Sequence, residues 1–334
     1  IRNDLEGRVD LIFDTAVSRI EIDRGVLSGV IVEGGKRFEA PAVIIAAGRS
    51  GSSWLSGEAK RLGLTLATNP VDIGVRVEVP ASVMKHITDI TYEAKFVYST
   101  KRFHDRIRTF CMNPCGEVVR ENSEGVFSVN GHSFRERKTG NTNFALLVST
   151  DFTKPFREPI AYGRYVAGLA NLLGGGVLVQ RLGDLKMGRR STPERIVDGS
   201  VRPTLGDATP GDLSFALPYR HLTDIMEMLE ALDNIAPGVN SGDTLLYGAE
   251  VKYYSLRLNL TNALETEIRN LAQAHYAHLA RLLGLPVVLV VDARSMARTI
   301  ASAASLWPRC SSIIAPDQIC PIGFAMPLPA MSGA

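Results

Sequence analysis

The stretch Val43-Ile44-Ile45-Ala46-Ala47-Gly48-Arg49-Ser50-Gly51-Ser52-Ser53-Trp54-Leu55 restricts the fold more than any other part of the chain. Four apolar residues run directly into small residues and glycines. That pattern predicts a strand buried on both faces and ending at a tight turn. Beyond the turn, Trp54, Leu55, Ala59 and Leu62 recur at helical spacing. Ser52 or Ser53 is placed to cap the helix start, and Gly63 to close its end in a left-handed conformation. Free N–H groups at such a helix start suit an anion or a cofactor, with Gly48 and Gly51 letting a ligand approach the backbone.

The chain opens without an initiator Met and in mid-pattern, so an upstream segment is expected. Val9 to Phe13 reads as a strand. Ala16 to Ile22, Gly29 to Glu33 and Arg37 to Ala40, separated by glycine turns, read as an antiparallel meander leading into the Val43 strand. From Ile73 to Val79, apolar residues alternate with Gly74, Arg76 and Glu78, which predicts a half-buried strand ended by Pro80. Tyr162, Tyr165, Val166, Leu169 and Leu173 predict one face of a helix stopped by Gly174-Gly175-Gly176; without a Lys-Ser/Thr signature these glycines punctuate structure. Leu222 to Leu232 is a second amphipathic helix. Val287 to Val291 reads as a buried parallel strand with Asp292 at its carboxyl end, and the prolines from Pro308 onward predict an irregular tail.

Composition excludes several function classes. A formal net charge of +2 with no aromatic-interleaved basic stripe argues against nucleic acid. No apolar run reaches bilayer length and Ile1-Arg2-Asn3-Asp4 is not a signal peptide, so no membrane partner and a cytoplasmic location are expected. Cys111, Cys115, Cys310 and Cys320 have neither disulfide-framework nor zinc-site spacing, and no metal site is expected.

Polar candidates remain. Arg181, Arg189 and Arg190 with Ser191 suit a carboxylate or phosphate, through guanidinium forks and a hydroxyl; the alternative is a charged loop in which Thr192 caps a helix opened by Pro193. His132, between Gly131 and Ser133, is a candidate proton donor or acceptor, or else a turn residue. Cys111 and Cys115 have three intervening residues rather than the two of a redox dithiol, which favours inert thiols.

A meander feeding an apolar strand that ends Ala46-Ala47-Gly48-Arg49 resembles the second half of the FAD-binding fold of glutathione-reductase-type flavoproteins, with Ala47 where that family usually has Thr. The run from Asn69 to Pro80 is similar to a family of bacterial FAD-dependent dehydrogenases with a domain inserted into the FAD fold. So are Arg108 to Pro114, Val129 to Ser133, Asn141 to Ser149, Leu173 to Leu185, Gly188 to Thr192 and Asp243 to Gly248. The resemblance implies a mixed α/β and α+β fold. Residues 1–68 would be a partial FAD-binding, Rossmann-like domain with a β-meander, and 69–264 an inserted mixed substrate domain. It also implies FAD as cofactor, contacted by Gly48, Arg49, Ser50 and Gly51, an unidentified small-molecule substrate, and NAD(P)H as a possible partner.

Two expected features are missing from the sequence. No Gly-x-Gly-x-x-Gly follows a strand, so the turn that holds the FAD pyrophosphate is not encoded in these residues. After Leu271 the family's strand ending in Gly-Asp is replaced by Ala272-Gln273-Ala274-His275-Tyr276. The run from His278 to Arg298 resembles corrinoid-pathway synthases of the cobyrinate a,c-diamide type, without a P-loop. Residues 265–306 are thus expected to form an α/β segment of foreign resemblance and 307–334 an irregular tail. The function expected is an FAD-dependent oxidoreductase with an incomplete flavin site, the alternatives being a non-catalytic truncated or chimeric product and, more distantly, a corrinoid amidation fragment.

Overall fold

The structure, a computed structural model, describes residues 10–48, 51–67, 69–123, 125–152, 158–254, 256–260, 266–268, 271–273, 287–291 and 310–314. Elements are numbered along the chain. The chain divides into two units, Ile1–Ala67 with Ser255–Ala334, and Thr68–Tyr254.

The first unit carries two sheets that follow from the pattern around Val43. Strands β2 (Val17–Asp23), β3 (Val26–Val32) and β4 (Arg37–Glu39) form the antiparallel meander. Strand β5 (Val43–Ala46) is buried along its length and lies in a parallel sheet of order β1-β19-β18-β5-β17. It pairs directly with β17 (Leu271–Gln273) and β18 (Val287–Val291), and β19 (Cys310–Ile314) and β1 (Asp10–Ile12) extend the sheet beyond β18. The prolines predict irregular chain beyond Trp307, yet β19 is a strand. The stretch between Pro308 and Pro316 is proline-free and holds the β-branched pair Ile313-Ile314, so a short parallel strand fits between the two breaks. Asp292 lies outside the described residues. A short antiparallel pair, β6 (Leu66–Ala67) with β16 (Arg257–Leu258), completes the sheets described in this unit.

Helix α1 (Ser52–Leu62) buries Leu55 and Ala59 against Ile20, Val43 and Ile45, and ends at Gly63 in the left-handed conformation, as its sequence predicts. A polar clamp fixes it to the meander. The Ile20 N–H donates to Glu58 Oε2 at 2.8 Å, and Arg61 Nη2 donates to the Ile20 carbonyl at 2.6 Å and to Glu58 Oε2 at 2.7 Å.

The second unit is built on a seven-stranded mixed sheet, order β14-β13-β15-β7-β12-β9-β8. Its centre is β7 (Val71–Pro80), flanked antiparallel by β12 (Asn141–Thr150) and β15 (Leu245–Tyr253). Outward lie β8 (Val97–Ser99) and β9 (Arg106–Asn113) on one side, β13 (Leu178–Arg181) and β14 (Thr209–Pro210) on the other. The odd-numbered residues of β7, from Val71 to Val79, enter the main core with Leu222, Ile225, Met228 and Leu229 of α6 (Tyr219–Asp233). Removing each such side chain from water stabilises the fold by roughly 1.5–3 kcal/mol. Helix α2 (Ala81–Thr88) follows β7 and adds Met84 to that core.

Two expectations are corrected here. Alternation in β7 predicts one solvated face, but Val71 to Val79 are buried on both sides, Asp72, Arg76 and Glu78 included. The even-numbered face is covered by a separate hairpin, β10 (Glu117–Ser123) and β11 (Val126–His132). Helix α3 (Pro159–Gly174) turns a different stripe inward from the one predicted: Gly163, Val166, Ala167 and Ala170 are buried, while Tyr165 and Leu172 are exposed. The reason is close approach. A Cβ at Gly163 would meet Val71, Val251 and Tyr253 at 2.8 to 3.0 Å, so the small-residue stripe sets the packing. Helix α3 ends at Gly175 in the left-handed conformation, so the triple glycine does punctuate. Short helices α4 (Leu182–Lys186) and α5 (Pro193–Asp198) follow β13. No described helix is long and apolar enough to cross a membrane.

Candidate functional site

The glycine turn after β5 is shaped for close backbone approach. Gly48 has φ 62°, and the Gly51 N–H donates to the Ala47 carbonyl at 3.0 Å. A Cβ at Gly51 would stand 2.5 Å from the Ala47 Cβ and 2.6 Å from its carbonyl oxygen, so a side chain is excluded. Gly51 itself occupies the N-cap position of α1, and no side chain caps the helix. The expected serine cap is therefore absent. Ser52 is instead the first helical residue, 8% exposed, and its Oγ has no hydrogen-bond partner among the described residues. An uncapped helix start beside an unsatisfied buried hydroxyl can accept an anionic or hydrogen-bonding ligand group. Arg49 and Ser50 lie outside the described residues.

Within the second unit, the covered face of β7 forms a polar layer. Arg76 and Glu250, both fully buried, make a two-pronged ion pair: Nε to Oε2 and Nη2 to Oε1, each 2.8 Å. Arg76 Nη1 also donates to the Cys111 carbonyl at 2.9 Å and to Asn143 Oδ1 at 3.1 Å, and Nη2 to Asn130 Oδ1 at 3.3 Å. Lys252 lies 3.3 Å from both Glu250 and Glu121. Asn143 Nδ2 has no partner. Such a layer keeps its charges only because nearly every polar atom is matched.

Glu78 is different, since no cation among the described residues is ion-paired with it. It accepts from Tyr247 Oη and Thr204 Oγ1, each at 2.5 Å, and from Asn141 Nδ2 at 3.1 Å. Burial pushes its carboxyl above the usual range, and burial together with Glu78 raises the Tyr247 phenol well above its own. At the start of β7, Asp72 accepts from Arg108, Tyr254 and Ser149, each at 2.6 Å.

Gly131 lets the hairpin sit directly on this layer. A Cβ there would come within 2.2 to 2.4 Å of Asn143 Oδ1, Asn113 Nδ2 and Arg76 Nη1. Asn113, Asn130-Gly131, Asn141-Asn143 and Arg76-Glu78 belong to four separate sequence motifs that converge here. Sequence reasoning missed Arg76, Glu78, Asn143, Tyr247 and Glu250 as a group. The available signal was Asp72, Arg76 and Glu78 sharing one parity of a single strand.

The remaining candidates are placed as follows. His132 ends β11, half-buried, its ring edge-on to Phe134 at 4.5 Å. Cys111 and Cys115 carry free, half-buried thiols. Arg181 is ion-paired with Asp243, whose carboxyl is held low by the Ser200 N–H and hydroxyl, then by Arg181. Arg189 Nε donates to Asp184 Oδ1 at 2.8 Å, and Ser191 Oγ donates to Asp184 Oδ2 at 2.8 Å. The guanidinium groups of Arg181 and Arg189 thus go to different carboxylates. The Arg190 carbonyl accepts from Arg195, and Thr192 Oγ1 accepts from the Arg195 N–H to cap α5, with Pro193 opening it. Among the described residues, no group of three or more His, Cys, Asp or Glu is placed to hold a metal.

The hairpin-covered sheet and the helices packed on it coincide with the stretch of the chain that matches a family model. Residues 70–253, 184 of the 334, match the family model described as FAD-dependent protein, C-terminal domain-like. The chain belongs to that family. No curated protein matches it.

Proposed function

We propose that the protein is an FAD-dependent oxidoreductase of dehydrogenase type, in which the glycine turn after β5 contributes to flavin binding and the second unit handles substrate. The observation that carries this is the family match over the second unit. The residues of the turn fit the cofactor: Gly48 and Gly51 leave the backbone open, and Ser52 Oγ is a buried donor or acceptor without a partner. FAD, when bound, supplies the redox chemistry, and the protein's task is to orient the cofactor and exclude water. His132 is our candidate for moving a proton at the substrate, with NAD(P)H the candidate electron donor. The anion role of Arg181, Arg189, Arg190 and Ser191 is better assigned to Arg190, since the other three are engaged by Asp243 and Asp184.

Flavin fluorescence quenching on titration with the purified chain tests the reading. Weak, saturable binding is expected, because the pyrophosphate turn is not in the sequence. Ser52→Ala is expected to weaken it while preserving far-UV circular dichroism, and His132→Gln to leave it unchanged. No quenching at any flavin concentration, or quenching indifferent to Ser52→Ala, would overturn the assignment and favour a non-catalytic product.

A further inference from the structure

Helix α6 carries a second set of buried ionisable groups, remote in sequence from every motif discussed above. Asp224 is fully buried, and neither of its oxygens takes a well-formed hydrogen bond from an N–H or O–H. Its polar neighbours are Thr100 and the carboxylate of Asp105. Asp105 is held in turn by Arg220, at 2.5 and 2.7 Å. One turn of helix from Asp224, His221 is 4% exposed; its Nε2 meets Thr150 Oγ1 at 2.8 Å and its Nδ1 has no partner.

The loop that carries Asp105 is a tight turn docked on α6. Thr100 N–H donates to the Asp105 carbonyl at 2.9 Å and Asp105 N–H to Thr100 Oγ1 at 3.0 Å. Glu227 of α6 accepts from the Lys101 and Arg102 N–H groups. The other ionisable groups of the loop, Lys101, Arg102, His104 and Arg106, are exposed. From the sheet beneath, β7 presents Val71, Ile73, Val75, Val77 and Val79, β9 presents Ile107 and Thr109, and β12 presents Thr150. Arg220, four residues before Asp224 on α6, acts on it as a cation, but its guanidinium is bonded to Asp105. Asp224 lies about one turn from Arg220 and one turn from Glu227, both of which hold this loop, so its buried carboxyl has the Asp105 carboxylate as neighbour, and the two cannot both ionise without a large repulsive cost.

We propose that Asp224 and Asp105 hold one proton between them, with Asp224 as donor and Asp105 as the Arg220-clamped acceptor, so that the docking of the 100–106 loop on α6 tightens on protonation and loosens on its loss. The arrangement gives α6 a proton-operated latch. Burial, then Asp105, raises Asp224 to about 6, while burial lowers His221 to about 4, so in the window between them the proton resides on the carboxyl and not on the imidazole.

The test is a carboxyl-carbon NMR titration of the full chain labelled at Asp, with assignment by single Asp→Asn variants. A resonance with a midpoint near 6 that disappears in Asp224→Asn is expected, together with a smaller co-titrating shift at Asp105. In Asp105→Asn the Asp224 midpoint is expected to fall, since the neighbouring charge is gone; burial alone would leave it in place. Hydrogen exchange of the 100–106 amides should slow several-fold between pH 8 and pH 5 in the wild type and become independent of pH, beyond the intrinsic rate, in Asp224→Asn. A wild-type carboxyl titration with every Asp midpoint below about 4.5 would overturn the proposal even if neither variant folds.

Discussion

The Arg76–Glu250 pair offers the sharpest test of the polar layer, because its two halves have unequal reserves. Replacing Glu250 by Leu leaves Arg76, fully buried, with only neutral acceptors, namely the Cys111 carbonyl, Asn143 and Asn130. An uncompensated buried charge of this kind costs about 3–5 kcal/mol. Replacing Arg76 by Met is expected to cost less, about 2–3 kcal/mol, because Glu250 keeps Lys252 at 3.3 Å. The double variant should recover part of the sum. Each acceptor abandoned by Arg76 retains another donor: Asn113 Nδ2 for Cys111 and Asn143, and the Gly131 N–H for Asn130. A coupling of about 2–3 kcal/mol is therefore expected.

Native-state hydrogen exchange of β7 and β12 peptides is the appropriate assay. Tryptophan fluorescence would report on the wrong place, since both tryptophans, Trp54 and Trp307, belong to the first unit. Additive single-variant costs, or a larger loss for Arg76→Met than for Glu250→Leu, would refute the claim that charge compensation holds the layer together.

Other consequences follow from single contacts. Gly131→Ala is expected to lift the hairpin and cost about 1–3 kcal/mol by overpacking, read as faster exchange in 126–132. Thr192→Ala should cost about 1 kcal/mol through loss of the α5 cap, measured by urea unfolding. The His221 imidazole binds protons less tightly in the folded than in the unfolded chain, so its contribution is present above its ordinary value of 6.5 and lost as pH falls toward about 4. Asp224 acts in the opposite sense, its contribution being present below 3.8 and lost as pH rises toward about 6. His221→Gln should remove the first effect, up to about 3 kcal/mol, and leave stability falling with pH between 4 and 6. Stability that still rises with pH across that window in the variant would contradict the assignment.

Local sequence was sufficient wherever the determinant was itself local. The apolar run from Val43 and the glycines after it define β5 and its turn, Gly63 and Gly175 stop their helices, and Thr192 with Pro193 opens α5. The spacing of Leu222, Ile225, Leu229 and Leu232 likewise identifies the buried stripe of α6. Each of these depends on backbone conformation or periodicity within a few residues.

Only the tertiary structure decided what the polar residues do. Alternation along β7 marks Asp72, Arg76 and Glu78 as one face, but a period of two cannot distinguish a face turned to water from one turned to partners. The partner of Arg76 is 174 residues away, and the hairpin that covers the face comes from a third segment. The same holds for Arg181, Arg189 and Ser191, whose acidic partners turn an apparent anion site into ion-paired structure. At the turn after β5, sequence placed the glycines correctly. The fold added the physical detail that Gly51 occupies the cap position, which leaves the Ser52 hydroxyl buried and without a partner beside it.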